Sequence, residues 1–142
     1  MDAGLLALRV GLGLMFLYHG APKLFGGPEV WAKVGGAAGN FGLSFAPAFW
    51  GLMAGIAEFG GGLLVMTGLL FTPACILLVI DLVVASSTHI HAGQGLAGAS
   101  HAIEDAIVFA SLIFIGPGRY SLNALLASKE VIEVIARSSL AS

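Results

Sequence analysis

Long apolar stretches alternate with short glycine-, proline- or polar-rich breaks along this chain. Each stretch has the roughly 20 apolar residues that a helix needs to cross a lipid bilayer. Between Lys33 and Glu104, the only formally charged side chains are those of Glu58 and Asp81. The pattern predicts an all-α fold, a transmembrane four-helix bundle with short loops, whose spans lie at about 5–25, 45–71, 73–91 and 97–115.

The breaks indicate how these spans connect. A Gly-Gly-Pro sequence at 26–28 ends the first span, and a glycine-rich stretch at 35–44 follows it. Thr72-Pro73 predicts a very short turn, so we expect the second and third spans to be antiparallel neighbours. The segment 92–95, with two glycines, is typical of a loop.

The residues after Ser121 differ in composition from the four spans. Apolar residues there fall near helical spacing, and charged residues lie between them. We therefore divide the chain into a membrane domain at 1–123 and a C-terminal tail at 124–142. The tail is either a short interfacial or cytosolic helix or a solvated, fraying segment.

Composition supports a membrane protein. Of the 142 residues, 58% are hydrophobic and only 10% are charged, whereas a soluble domain is about 25% charged. A net charge of −2 excludes a basic nucleic-acid binder. The single cysteine, Cys75, excludes an internal disulfide and a cysteine-rich metal site. The lipid bilayer is therefore the partner that composition implies, and nucleic acid is not.

Charge also predicts the orientation of the chain. An even number of spans places both termini on one side, together with Arg119, Lys129 and Arg137, whereas Lys23 and Lys33 lie on the other side. Because basic residues concentrate on the cytoplasmic side, we expect cytoplasmic termini and a multi-pass protein of a bacterial-type inner membrane.

The same topology gathers polar residues at the outer end of the bundle. His19 and Lys23 are four residues apart and share a helix face, and Arg9 lies only about 40° from Lys23 around the axis. Polar groups within a bilayer are costly and usually face an interior or a cavity. We predict a polar pocket whose ligand-binding or proton-handling residues are Arg9, His19, Lys23, Glu58, His89, His91, His101 and Glu104.

Each candidate also has a structural interpretation. Arg9 and Lys23 can extend to the lipid headgroups, and Glu58 can pair with Arg9. Imidazoles with carboxylates suit zinc, copper or iron, but the chain has no HExxH motif, and His89 and His91 lack the usual helical ligand spacing. We therefore expect no metal centre.

Several motifs together resemble the DoxX family of small four-span membrane proteins. They are RVGLGLMFLYHGAPKL at 9–24, AEFGGGLLVMTGL at 57–69, a histidine after the third span, an acidic residue in the fourth, and GPGRYSL at 116–122. Where the family pattern continues with Asp, this chain has Asn123. The resemblance implies the four-span fold, and the family takes its name from a subunit of a thiosulfate:quinone oxidoreductase.

Three functions stay open at this point. The first, which we favour, is a subunit of a quinone-linked oxidoreductase or redox-stress complex; it would lack a redox centre of its own, bind a quinone and receive electrons from a redox partner protein. The second is a small-molecule, proton or metal conduit. The third is a non-catalytic partner in membrane assembly. A GxxxG sequence at 51–55 could pack helices within the chain or within a homo-oligomer.

Overall fold

Four long apolar helices form the protein, and their bounds follow the breaks in the sequence. This computed structural model describes residues 2–129. The helices are α1 (Asp2–Phe25), α2 (Gly27–Gly35), a 3-10 helix (Gly36–Phe41), α3 (Pro47–Thr67), α4 (Phe71–His91) and α5 (Gly95–Ile115). Residues 122–129 are also helical, and no strand occurs within the described range.

The helices α1, α3, α4 and α5 are each long and apolar enough to cross a membrane. The prediction of an all-α transmembrane four-helix bundle is therefore confirmed, and the protein contacts the lipid bilayer through these helices. The predicted C-terminal tail is helical as far as residue 129, and the rest of it, 130–142, lies outside the described residues.

Glycines allow α1 and α3 to pack closely along their length. A Cβ atom on Gly20 would lie 2.5 Å from the backbone nitrogen of Phe59, and one on Gly62 would lie 2.9 Å from the carbonyl oxygen of Gly13. Side chains at these positions would push the two backbones apart, because no flexible group there could yield. The pair α4 and α5 packs similarly closely, and α3 joins the two pairs.

A short helix, α2, occupies the region after Gly26, where the sequence predicts only a break and a glycine-rich stretch. Pro28 lies in its first turn, where a missing N–H costs nothing. The indole Nε1 of Trp31 donates to the backbone carbonyl of Lys23 at 2.8 Å. This bond satisfies a terminal carbonyl of α1, so α2 folds back onto the end of the first span.

As a consequence, α1 ends level with the middle of α3 rather than with its beginning. Gly55, nine residues into α3, faces the backbone of Leu24 at the end of α1, whereas Gly51 faces Trp31 of α2. The GxxxG sequence therefore packs helices within the chain. The offset brings Lys23, at the end of α1, to the depth of the middle of α3.

The turn between α3 and α4 lies slightly earlier than the sequence predicts. Gly68 takes a left-handed conformation with φ of 69° and caps α3, as glycine commonly does at helix ends. Thr72 and Pro73 instead belong to the first turn of α4, where proline is tolerated. The two helices are nevertheless antiparallel neighbours, as expected.

An apolar cluster fills the half of the bundle that lies toward the beginning of α1. The rings of Phe16 and Phe109 meet edge to face, with centroids 4.9 Å apart. Leu78 and Phe71 of α4 are essentially inaccessible to solvent. No polar side chain other than Arg9 joins this half among the buried residues of α1, α3, α4 and α5, so the polar residues of the bundle concentrate in the other half.

Candidate functional site

A recess of about 190 Å³ opens in the half of the bundle opposite the apolar cluster. All four long helices contribute to its walls, so it forms only when the bundle is assembled. It is lined by Phe16, His19, Lys23, Glu58, Leu82, Ala85, His89, His101, Ala102 and Asp105.

An ion pair between α1 and α3 forms one wall of this recess. The ammonium Nζ of Lys23 lies 2.5 Å from the carboxylate Oε1 of Glu58. Glu58 is only 4% exposed, and its second oxygen, Oε2, has no hydrogen-bond partner among the described residues. Glu58 thus pairs with Lys23 and not with Arg9. A buried carboxylate with a free oxygen is a strong acceptor for a ligand or a proton.

Asp81 of α4 extends this polar group across the bundle. Gly61 of α3 faces Leu78 of α4. Because the two helices are antiparallel, Asp81 lies opposite Glu58, one helical turn away from this contact, and the two carboxyls are neighbours. Asp81 is partly buried and lies near the middle of its helix. Three ionisable side chains from three helices therefore meet at the depth where α1 ends.

Histidines lie around the more exposed part of the recess. The Nδ1 atom of His89 lies 2.6 Å from the side-chain oxygen of Gln94. This oxygen accepts a hydrogen bond from Nδ1–H, which leaves Nε2 as an acceptor in the neutral ring. The Nε2 atom of His101 lies 3.6 Å from Oδ2 of Asp105, which is close but too long for a hydrogen bond. His19 lines the recess from α1.

Three of the residues proposed from the sequence lie outside the recess. His91 directs Nδ1 to the carbonyl of Ser87 at 2.8 Å and faces away, and Glu104 is exposed. Asp105, one residue later, lines the recess in place of Glu104 because one residue turns the helix by about 100°. The sequence therefore predicts the depth of an acidic residue of α5 in the bundle, but not which of the two residues faces the recess.

Arg9 is the third of these residues, and it lies at the opposite end of the bundle. It is 1% exposed and donates to the carbonyls of Val65, Met66, Pro117 and Tyr120. Arg9 does lie on the same side of α1 as His19, but about 15 Å separates the two residues along the helix axis. Arg9 thus ties the end of α3 to the segment after α5.

Asp81, like Asp105, belongs to this site but is absent from the residues that the sequence analysis proposed. A signal for it exists, because Asp81 and Glu58 both lie at the centre of an apolar span, where a carboxyl is costly without a partner. Asp81 is also eight residues before His89, which places the two about 80° apart around the helix axis. Within residues 2–129, no three histidine, cysteine or carboxylate side chains form a group that could hold a metal ion.

The recess thus combines a buried ion pair, an unsatisfied carboxylate oxygen and imidazoles near solvent. Such a surface can accept and donate hydrogen bonds to a small polar group and can exchange protons with it.

Comparison with known proteins gives one match. The model of the DoxX family matches residues 4–92, which include most of α1 and all of α2, α3 and α4. No curated protein and no solved structure matches the chain. Since the matched segment covers more than half of the sequence, this four-span membrane protein belongs to the DoxX family.

Proposed function

We propose that this protein is a membrane subunit that binds the headgroup of a quinone in the recess and exchanges protons with it. The observation that carries the proposal is the buried Lys23–Glu58 ion pair in the wall of a cavity that is also lined by histidines. Quinone carbonyl oxygens need hydrogen-bond donors, and Lys23 and His19 can supply them. His89 can also do so through Nε2 when its ring is protonated, because Nδ1 is bonded to Gln94.

The size of the recess supports a headgroup rather than a whole lipid molecule. Pockets for drug-sized ligands have volumes of about 300–1,000 Å³, and this recess has about 190 Å³. It is also partly open rather than enclosed. A single ring can therefore lie among Phe16, Leu82 and Ala102, while an isoprenoid tail extends into lipid.

The chemistry requires a partner. Reduction of a quinone to the quinol consumes two electrons and two protons. A redox partner protein supplies the electrons and water supplies the two protons, which the carboxyl and imidazole groups of Glu58, Asp105 and His89 can relay to the quinone. This protein would then be the quinone-binding subunit of an oxidoreductase or redox-stress complex, in a bacterial-type inner membrane with cytoplasmic termini.

The apolar interior of the bundle favours quinone binding over a conduit for protons or ions through a single chain. The apolar cluster around Phe16, Leu78 and Phe109 lies between the recess and Arg9. A path for protons or ions would have to cross this cluster without a polar group. The recess therefore ends inside the bundle, which suits a binding site for a lipid-soluble ligand.

Binding of a short-chain ubiquinone analogue to the full chain in nanodiscs tests the proposal. We expect saturable binding in a calorimetric titration, and His89→Ala should weaken it about tenfold or more, since one lost hydrogen bond of about 1.4 kcal/mol corresponds to that factor. His91→Ala is the matched control, because His91 is two residues away and outside the recess. Absence of saturable binding, or an equal loss in both variants, would contradict the proposal.

A further inference from the structure

The carboxyl groups of Glu58 and Asp81 pose a charge problem in the interior. Both lie in the middle of membrane-spanning helices. The antiparallel packing of α3 on α4, in which Gly61 faces Leu78, places the two carboxyls opposite each other. Lys23 is the only cation that contacts either carboxyl among the described residues, and it bonds to Oε1 of Glu58. Two ionised carboxyls beside one ammonium would leave a net negative charge in an apolar environment.

Adjacent carboxyls in such a setting share one proton, because two like charges in contact cannot both persist at low dielectric. We propose that Glu58 and Asp81 hold a single proton between them at neutral pH and, with Lys23, form a neutral proton-storage site beneath the recess. In this arrangement the O–H of Asp81 donates to Oε2 of Glu58, the buried atom that otherwise has no partner.

The position of the free oxygen supports this assignment. Oε1 of Glu58 is already occupied by Lys23. A buried carboxylate oxygen without a donor costs roughly 1–3 kcal/mol or more. Asp81 is the neighbouring group that can supply the missing donor, and it can do so only while protonated.

The other titratable groups around the recess do not replace Asp81 in this role. From α5, His101 and Asp105 interact with each other. From α4, His89 is engaged with Gln94, and from α1, His19 is exposed. All four line the recess, and they provide a route by which the stored proton is replaced.

The storage site does not depend on a quinone. Only the further step, in which the stored proton passes to a bound ligand, rests on the proposed function. Transfer of this proton would leave Glu58 and Asp81 both ionised for as long as the ligand occupies the recess. Reprotonation from the histidine-lined opening then restores the neutral group.

Infrared spectroscopy of the full chain in liposomes at neutral pH, without added ligand, tests the storage site. The C=O stretch of a protonated carboxylic acid is distinct from the bands of a carboxylate. We expect such a band in the wild type, and we expect its complete loss in both Asp81→Asn and Glu58→Gln. In either variant the remaining carboxylate pairs with Lys23 and needs no proton.

The control is Asp105→Asn, which removes a carboxyl from the recess outside the pair and should leave the band intact. Isotope labelling of the aspartate or the glutamate carboxyls in the wild type gives a second measurement that does not depend on the folding of any variant. A shift of the band with either label supports the pair. A wild type without the band, or a band that persists in Asp81→Asn, overturns the storage site.

The experiments can disprove the quinone site and the proton-storage site independently of each other. If the band behaves as expected but the quinone analogue does not bind, the proton-storage site stands and the quinone function falls. If the analogue binds and the wild type shows no protonated carboxyl, the quinone site stands and the shared proton is excluded.

Discussion

At the scale of single residues, two cations enter the bundle and are stabilised in different ways. Lys23 meets the carboxylate of Glu58, whereas Arg9 meets backbone carbonyls and lies 5.9 Å from the ring centre of Phe71. A guanidinium can satisfy several carbonyls at once because its donors are fixed in a planar fork. Arg9 is therefore a structural residue, and Lys23 belongs to the recess.

The first prediction concerns Arg9. In Arg9→Lys, an ammonium replaces a fork that contacts four carbonyls, so we expect a loss of about 3 kcal/mol in unfolding free energy. Thermal unfolding in detergent, followed by circular dichroism, measures it. Arg119→Lys, at a position where 82% of the side chain is exposed, should change stability by less than about 0.5 kcal/mol. Equal losses of stability in Arg9→Lys and Arg119→Lys would contradict the structural role of Arg9. A weaker affinity of the folded Arg9→Lys variant for the quinone analogue would also contradict it.

The residues of the recess were only partly accessible to sequence reasoning. His19, Lys23, Glu58, His89 and His101 could be proposed because polar side chains in apolar spans are costly. The depth of a residue along its helix does not show whether Glu104 or Asp105 lines the recess, or that His91 lies outside it. Those choices depend on how each helix is rotated about its axis, and the long, nearly uniform apolar stretches define that rotation poorly.

At the scale of helices, α2 determines the depth of the site. By satisfying the end of α1 and packing against the first half of α3, it lets α1 end at the middle of the bundle. Sequence reasoning treated this region as a break, because Gly26, Gly27 and Pro28 are strong turn formers. The helix forms because proline is tolerated in a first turn, where Pro28 lies, and because the indole N–H of Trp31 donates to a carbonyl at the end of α1.

The second prediction concerns this packing. A methyl group on Gly51 would collide with the backbone carbonyl of Trp31, which cannot yield without moving α2. We expect Gly51→Ala to lower the unfolding free energy by about 1–3 kcal/mol. Gly60→Ala is the matched control in the same helix, because a methyl group there meets open space; it should be neutral or stabilise the protein by less than about 1 kcal/mol. Similar effects of the two substitutions on thermal unfolding would contradict the packing of α2 on α3.

At the scale of the whole molecule, four spans place the beginning of α1 and the helical segment 122–129 at the same end. Asp2 and Arg119 form an ion pair at that end, with 3.2 Å between Oδ2 and Nε. The loop before α3 lies at the other end. The proposed orientation therefore assigns these two ends to opposite sides of the membrane.

The third prediction tests this orientation. Ser44→Cys and Ser128→Cys each place a thiol at an exposed position, one at each end of the bundle. In spheroplasts, a membrane-impermeant maleimide should label Ser44→Cys directly and Ser128→Cys only after permeabilisation. The unmodified chain is the control, since Cys75 is fully buried. The reverse labelling pattern would place the termini outside the cytoplasm.

The sequence by itself determined that this protein is an all-α membrane bundle with four spans, because span length and the near absence of charge leave a lipid-exposed chain few other folds. It also identified Glu58 as a carboxyl in the middle of a span. Only the tertiary structure decided that Lys23, and not Arg9, pairs with Glu58, and that Asp81 lies beside them. These contacts depend on the axial offset of α1 against α3 and on the rotation of each helix. Both are set by the close approach of backbones at glycines and by the docking of α2, which no single span encodes.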